Sequence, residues 1–227
     1  MIRAIIFDMD GTLLDSEKYW MLLPGIFLRH HGVEISDDEL KNAPWQTASF
    51  SRTLAGYYAS PECAVDMSYE DALKWCRDYI YKKIYQSDEY IDFKPGGKDT
   101  LAAAEELKIP MCLISATEPV SMDYTIDRLD MRKYFLFCQS TSGGMNKNDP
   151  EIFRIAARRM GVKAEECLVI EDSLYAMKTA REAGCTVWAI EDPKHAKEVE
   201  IIRATAHRYF NDHAELSQAL RALASTP

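Results

Sequence analysis

The chain's strongest constraint is a series of short apolar runs, each too brief for a helix, three of which give way abruptly to polar side chains. Ala4-Ile5-Ile6-Phe7 runs into Asp8, Met111-Cys112-Leu113-Ile114 into Ser115, and Leu168-Val169-Ile170 into Glu171-Asp172. Val187-Trp188-Ala189-Ile190 and Tyr134-Phe135-Leu136-Phe137 have the same character. Runs of this kind read as strands buried on both faces. Helical patterns lie between them, at Asp99 to Leu107, Pro150 to Met160 and Leu174 to Ala183, the last followed by Gly184 at a position suited to a helix C-terminus. Strands alternating with helices predict the α/β class with a parallel sheet. Ligands of such sheets bind beyond the carboxyl ends of the strands. Asp8, Ser115, Glu171 and Asp172 are therefore expected to converge although they are remote in sequence.

From Ser16 to Glu89 the alternation stops. Helical, aromatic-rich segments such as Glu17 to His31 and Tyr69 to Tyr85 take over without a convincing buried strand. The return segment Tyr90-Ile91-Asp92-Phe93-Lys94-Pro95-Gly96-Gly97 carries turn residues. The expected organisation is a core of residues 1–15 and 90–227 interrupted by an all-helical insertion at 16–89. A chain of 227 residues is long enough to bury a core in each part. The tail from Ala196 to near Leu223 is expected to continue helical.

With 36 acidic against 27 basic residues the net charge is −9, which disfavours nucleic acid and anionic membrane surfaces as partners. A phosphorylated ligand would need local neutralisation by a cation or a placed lysine. The six cysteines are dispersed, with no Cys-x-x-Cys pair, as in a reduced cytoplasmic protein. The first apolar run is interrupted by aspartates, too early for a signal peptide and far short of a membrane span.

The chemistry-bearing feature is Asp8-Met9-Asp10-Gly11-Thr12, two carboxylates two positions apart at a strand end, with a glycine that lets the chain turn. One carboxylate is suited to attack phosphorus and form an acyl phosphate; the other can protonate a leaving oxygen and then activate water. A divalent ion would screen both. Aspartates also begin ordinary surface turns, and the Glu171-Asp172 pair taken by itself reads more readily as acidic residues complementing a helix N-terminus capped by Ser173.

The segment FDMDGTLLDS resembles the first motif of the haloacid dehalogenase-like superfamily, and the likeness extends along the whole chain. Ser115 in LISAT is similar to the second motif, Lys147 in GGMNKNDPEIF to the third, and Glu171-Asp172 in VIEDS to the fourth. The third motif departs from the usual Lys-Pro by carrying Asn148, although Asp149 and Pro150 still mark a helix start. The resemblance implies a Rossmann-like parallel sheet core with an inserted helical cap, and Mg²⁺ as cofactor. It further implies Asp8 as nucleophile and Asp10 as acid/base, with Ser115, Ala116, Lys147 and Thr12 around the phosphoryl group. Asp8, Asp10 through its carbonyl, Asp172 and the supporting Glu171 would hold the metal. In relatives the cap selects substrate, and here the loop with Trp45 and Gln46 occupies the corresponding stretch, although an aromatic in a small helical domain is also a natural core residue.

The implied activity is hydrolysis of a small phosphomonoester such as a sugar phosphate. Two alternatives stand beside it. A phosphosugar mutase of the β-phosphoglucomutase type has the same Glu-Asp-Ser form, but SEKYWMLL after Asp15 lacks the histidine those mutases usually carry. A catalytically silent phosphate-binding or scaffolding protein is the other, and the intact acids argue against it. His30 and His31 have no metal-ligand spacing to another histidine and are read as structural.

Overall fold

The computed structural model describes residues 1–47 and 49–224. The chain divides into two compact units, Met1–Asp15 with the chain from Ile91 onward, and Ser16–Tyr90.

The first unit is built on six parallel strands: β1 (Ala4–Phe7), β2 (Met111–Ser115), β3 (Phe137–Ser140), β4 (Cys167–Glu171), β5 (Thr186–Ile190) and β6 (Arg208–Phe210). Their order across the sheet is β3-β2-β1-β4-β5-β6. Every residue of β1, β2 and β4 is buried, which is why these strands read as unbroken apolar runs. From β1 the chain builds outward through β2 and β3, then returns to the other side of β1 for β4, β5 and β6. The direction of winding thus reverses between β1 and β4, which pair Ile6 to Val169 and Phe7 to Ile170. A switch of this kind opens a crevice at the carboxyl ends of the two strands. Asp8 follows one strand and Glu171 ends the other.

Helices α5 (Gly97–Glu105), α6 (Pro119–Arg128), α7 (Glu151–Arg159), α8 (Leu174–Glu182), α9 (Val199–Thr205) and α10 (His213–Ala224) complete this unit. One layer of the core joins Ile6, Ile114, Val169 and Val187 to Phe153, Ala156, Met177 and Ala180 of α7 and α8. Gly184, at φ +101°, ends α8 where the sequence places it.

Two expectations need correction. The run at Tyr134 is not a strand: Arg132–Tyr134 forms a single 3₁₀ turn, Phe135 packs edge-on against Phe7 at 6.1 Å, and pairing with β2 starts only at Phe137. Its apolarity anchors the turn, while the strand itself is half-buried and more polar, FCQS. The tail after Ala196 is not wholly helical, because β6 intervenes. This three-residue edge strand has Phe210 packed on Trp188, with the Arg208 guanidinium over both rings.

The second unit contains α1 (Glu17–His30), α2 (Asp37–Asn42), α3 (Phe50–Tyr58) and α4 (Tyr69–Tyr79), with a π-helical turn at Ile80–Tyr85 extending α4. No strand occurs among its described residues. A reciprocal capping box between Ser36 and Glu39 starts α2, and the Ser68 hydroxyl caps α4. Leu23, Phe27, Leu54, Tyr57, Cys76 and Ile80 form its buried interior. Among the described residues no helix is long and apolar enough to cross a membrane.

Candidate active site

The site lies wholly within the first unit, at the carboxyl end of β1 and its neighbours. Asp8 is 6% exposed, and its Oδ1 is in direct contact with the Lys147 ammonium. Lys147 arrives from the loop before α7 and is itself buried; its Nζ also donates to Glu171 Oε1 at 2.8 Å. Asp149 Oδ1 accepts from Glu151 N at 2.9 Å, so the helix start that positions this loop survives the Asn148 departure.

Glu171 is engaged through both oxygens. Its Oε2 accepts from Asp172 N, Ser173 N and Ser173 Oγ, at 2.8, 2.8 and 2.9 Å. The Ser173 side chain therefore donates to Glu171 rather than capping α8. Asp172 Oδ1 accepts from Thr12 Oγ1 at 3.1 Å. Its Oδ2 lies 3.4 Å from His195 Nε2, at ion-pair distance but out of hydrogen-bond alignment, while His195 Nδ1 lies 3.0 Å from Glu198 Oε2.

Asp10 has a different setting, half-buried, with Oδ2 accepting from Ser115 Oγ at 2.9 Å and Thr117 Oγ1 at 2.7 Å. Ser115 Oγ in turn accepts from Thr117 N at 2.9 Å. Ala116, between them, is exposed. The turn itself depends on Gly11, whose φ of +76° is a left-handed conformation that a side chain would disfavour.

The electrostatics follow from this crowding. Burial, then the charges of Glu171 and Asp172, push Asp8 well above the usual carboxylate range against the pull of Lys147. Burial and Asp172 likewise raise Glu171, with Lys147 opposing. Burial also disfavours ionised Asp172, but the His195 imidazole outweighs it and brings the group down to about 2. For Lys147, burial is overcome by Asp8 and Glu171, which hold it protonated. Buried negative charge therefore exceeds what one lysine can match.

Ligand atoms of Asp8, Glu171 and Asp172 all lie within 4.8 Å of one another. Hard carboxylate oxygens, an uncompensated negative field and burial fit a divalent cation of the Mg²⁺ type. Asp8 and Asp172 suit direct ligation; Glu171, with both oxygens taken, suits a supporting place.

Residues 2–184 match the family model described as haloacid dehalogenase-like hydrolase. The chain belongs to the haloacid dehalogenase-like hydrolases. It is an enzyme of that hydrolase family, and phosphatases are prominent among its relatives. A Drosophila melanogaster protein named "Probable pseudouridine-5'-phosphatase" is 28% identical over 208 residues, covering 87% of this chain and 85% of its own. The phosphorylated carbohydrates phosphatase of Thermotoga maritima is 25% identical over 192 residues, covering 81% and 82%. The crystal structure of a family hydrolase from Deinococcus radiodurans R1, with bound phosphate and sodium, superposes with a TM-score of 0.75 at 24% identity. That match covers 99% of this chain and 96% of the other, and it shows the shared fold.

The structure thus brings together Asp8, Asp10, Thr12, Ser115, Lys147, Glu171 and Asp172. Trp45 and Gln46 belong to the helical unit. The Trp45 ring is buried there against Tyr57 at 5.3 Å, and its Nε1 donates to Glu62 at 3.1 Å. Gln46 Nε2 donates to Thr47 O at 3.3 Å. Sequence reasoning missed Thr117, which shares Asp10 with Ser115, and His195, which faces Asp172. Thr117 is the more accessible of the two omissions, since a hydroxyl two residues beyond Ser115 at a strand end has a short reach to the same ligand.

Proposed function

We propose that this hydrolase is an Mg²⁺-dependent phosphatase of small phosphorylated carbohydrates or nucleosides, working through a phosphorylated Asp8. The observation that carries the reading is the contrast between the two acids of the Asp8-Met9-Asp10 turn. Asp8 is buried and paired with an ammonium, which suits a carboxylate that attacks phosphorus. Asp10 is half-exposed and held by two hydroxyls, which suits a group that carries a proton to and from substrate.

Asp8 attacks in line and the P–O bond to the leaving alcohol breaks, with Asp10 delivering its proton to the leaving oxygen. Asp10, now ionised, takes a proton from the water that attacks the aspartyl phosphate, releasing phosphate and restoring Asp8. Lys147 favours the ionised form of the attacking carboxylate and orients it, and Ser115 with the backbone of Ala116 would meet the charge that develops on the phosphoryl oxygens. Asp8, Asp172 and the Asp10 carbonyl would hold Mg²⁺, which when bound neutralises phosphoryl charge. The substrate class is supported by the names of the Thermotoga and Drosophila relatives, both phosphatases of sugar-containing phosphates.

A panel of sugar phosphates, nucleoside monophosphates and short-chain phosphates, assayed with and without Mg²⁺ for released phosphate, tests the reading. Hydrolysis is expected only with the metal, abolished in Asp8→Asn and weakened in Lys147→Arg. Conversion of glucose 1-phosphate isomers without phosphate release would instead indicate a mutase. Activity persisting in Asp8→Asn would remove the nucleophile assignment.

A further inference from the structure

The turn after Asp10 is held from outside at three successive carbonyls. Gly11 O accepts from Lys94 Nζ at 2.7 Å, Thr12 O from His213 Nε2 at 3.0 Å, and Leu13 O from Lys94 N at 2.9 Å. A carbonyl can only accept, so Nε2 is the protonated nitrogen of His213, leaving Nδ1 to face Thr100 Oγ1 at 2.8 Å. Lys94 uses its remaining hydrogens on Glu191 O at 2.8 Å and Asp192 Oδ2 at 2.9 Å, and both ends of that ion pair are largely buried. The fit is close on this side: a Cβ on Gly97 would stand 2.7 Å from Leu13 O, and one on Gly96 would stand 2.9 Å from His213 Cβ. Neither Lys94 nor His213 belongs to the four motifs that carry the acids, and neither touches Asp8, Glu171 or Asp172 in any contact described above.

We propose that Lys94 and His213 are positioning residues for Asp10, clamping the Gly11–Leu13 backbone so that the Asp10 carboxyl stays under Ser115 and Thr117 and the Thr12 hydroxyl stays on Asp172. The inference rests on the reading of Asp10 as the proton donor to the leaving group. Peptide units that are hydrogen-bonded on one side to a buried ammonium and on the other to a buried imidazole have little freedom to rotate. The carboxyl at their head is then oriented without reorganisation when the P–O bond breaks. Losing the clamp allows the turn to relax, and the step that suffers is the one needing a proton at the leaving oxygen.

Two esters of similar size separate this role from a purely structural one. p-Nitrophenyl phosphate expels a stable phenolate unaided, whereas benzyl phosphate needs its alkoxide protonated. Because kcat/KM reports the steps up to phosphorylation of Asp8, Lys94→Met should lower it for benzyl phosphate about tenfold more than for p-nitrophenyl phosphate, a fraction of the usual general-acid contribution. His213→Ala should shift the ratio in the same sense, and His213→Gln, whose amide N–H can reach Thr12 O, should restore it. Asp10→Asn is the reference and should show the largest selective loss. If Asp10→Asn is selective while Lys94→Met and His213→Ala lower both esters equally, the positioning role is overturned and the role of Asp10 stands. If Asp10→Asn is itself unselective, the acid assignment falls and the inference with it. Should Lys94→Met fail to fold, the two His213 variants decide the matter.

Discussion

At the residue scale the site is an imbalance of charge resolved unevenly between two neighbouring aspartates. Asp8 shares one ammonium with Glu171 inside a buried cluster, whereas Asp10 leans on neutral hydroxyls at the edge. Hydrogen bonds to a carboxylate that gains charge as it gives up its proton contribute about 1.5–3 kcal/mol, and Asp10 keeps the Ser115 hydroxyl when that of Thr117 is removed. Thr117→Val is therefore expected to lower kcat/KM by about tenfold, with little change in melting temperature, as steady-state kinetics and a thermal melt will show. An unchanged rate would mean that the Thr117 hydroxyl does not orient Asp10. The motif residues Asp8, Asp10, Ser115, Lys147, Glu171 and Asp172 were legible because each stands where an apolar run or a helix start ends, a local signal. Thr117, Lys94, His195 and His213 were not. Their partners lie 107, 83, 23 and 201 positions away, and no local pattern marks a hydroxyl, lysine or histidine that reaches across the fold to one carbonyl or carboxylate.

At the scale of elements, the turn after Asp10 is braced by α10, whose first residue is His213. Burial, aided by the Lys94 charge, brings the His213 imidazole down to about 4 from the usual 6.5. The folded protein therefore binds fewer protons than the unfolded chain between those values. Stability contributed by the neutral ring is full above pH 6.5 and lost as pH falls to about 4, on the order of 3 kcal/mol in total. Chemical denaturation at a series of pH values should show this loss in the wild-type chain and a flatter profile in His213→Gln; parallel profiles would refute it. The strands and helices that carry the motifs were readable from period and punctuation, since β1, β2 and β4 are buried on both faces and α8 ends at a glycine. The misreadings both fall at the sheet edges. There a half-buried strand such as FCQS, or a three-residue one such as RYF, carries too little apolar signal to compete with its surroundings.

At the scale of the molecule, the reversal of winding between β1 and β4 gathers acids more than 160 positions apart in the sequence, Asp8 with Glu171 and Asp172, and a net charge of −9 does nothing to offset them. A cation that binds the folded chain alone must then stabilise it. At about a hundred times its Kd, Mg²⁺ contributes roughly 2.7 kcal/mol, a rise of about 5–10 °C in Tm for a chain of this size. Differential scanning calorimetry should record that rise in the wild-type chain and its loss in Asp172→Asn; equal shifts in both would place the metal elsewhere. The central claim, that Asp8 takes the phosphoryl group, has its most direct test in trapping. The enzyme is quenched during turnover of p-nitrophenyl phosphate with Mg²⁺, reduced with borohydride and mapped by peptide mass spectrometry. Conversion of residue 8 to homoserine is the predicted result. Rapid turnover with Asp8 always recovered intact, or with the label on another residue, would contradict it.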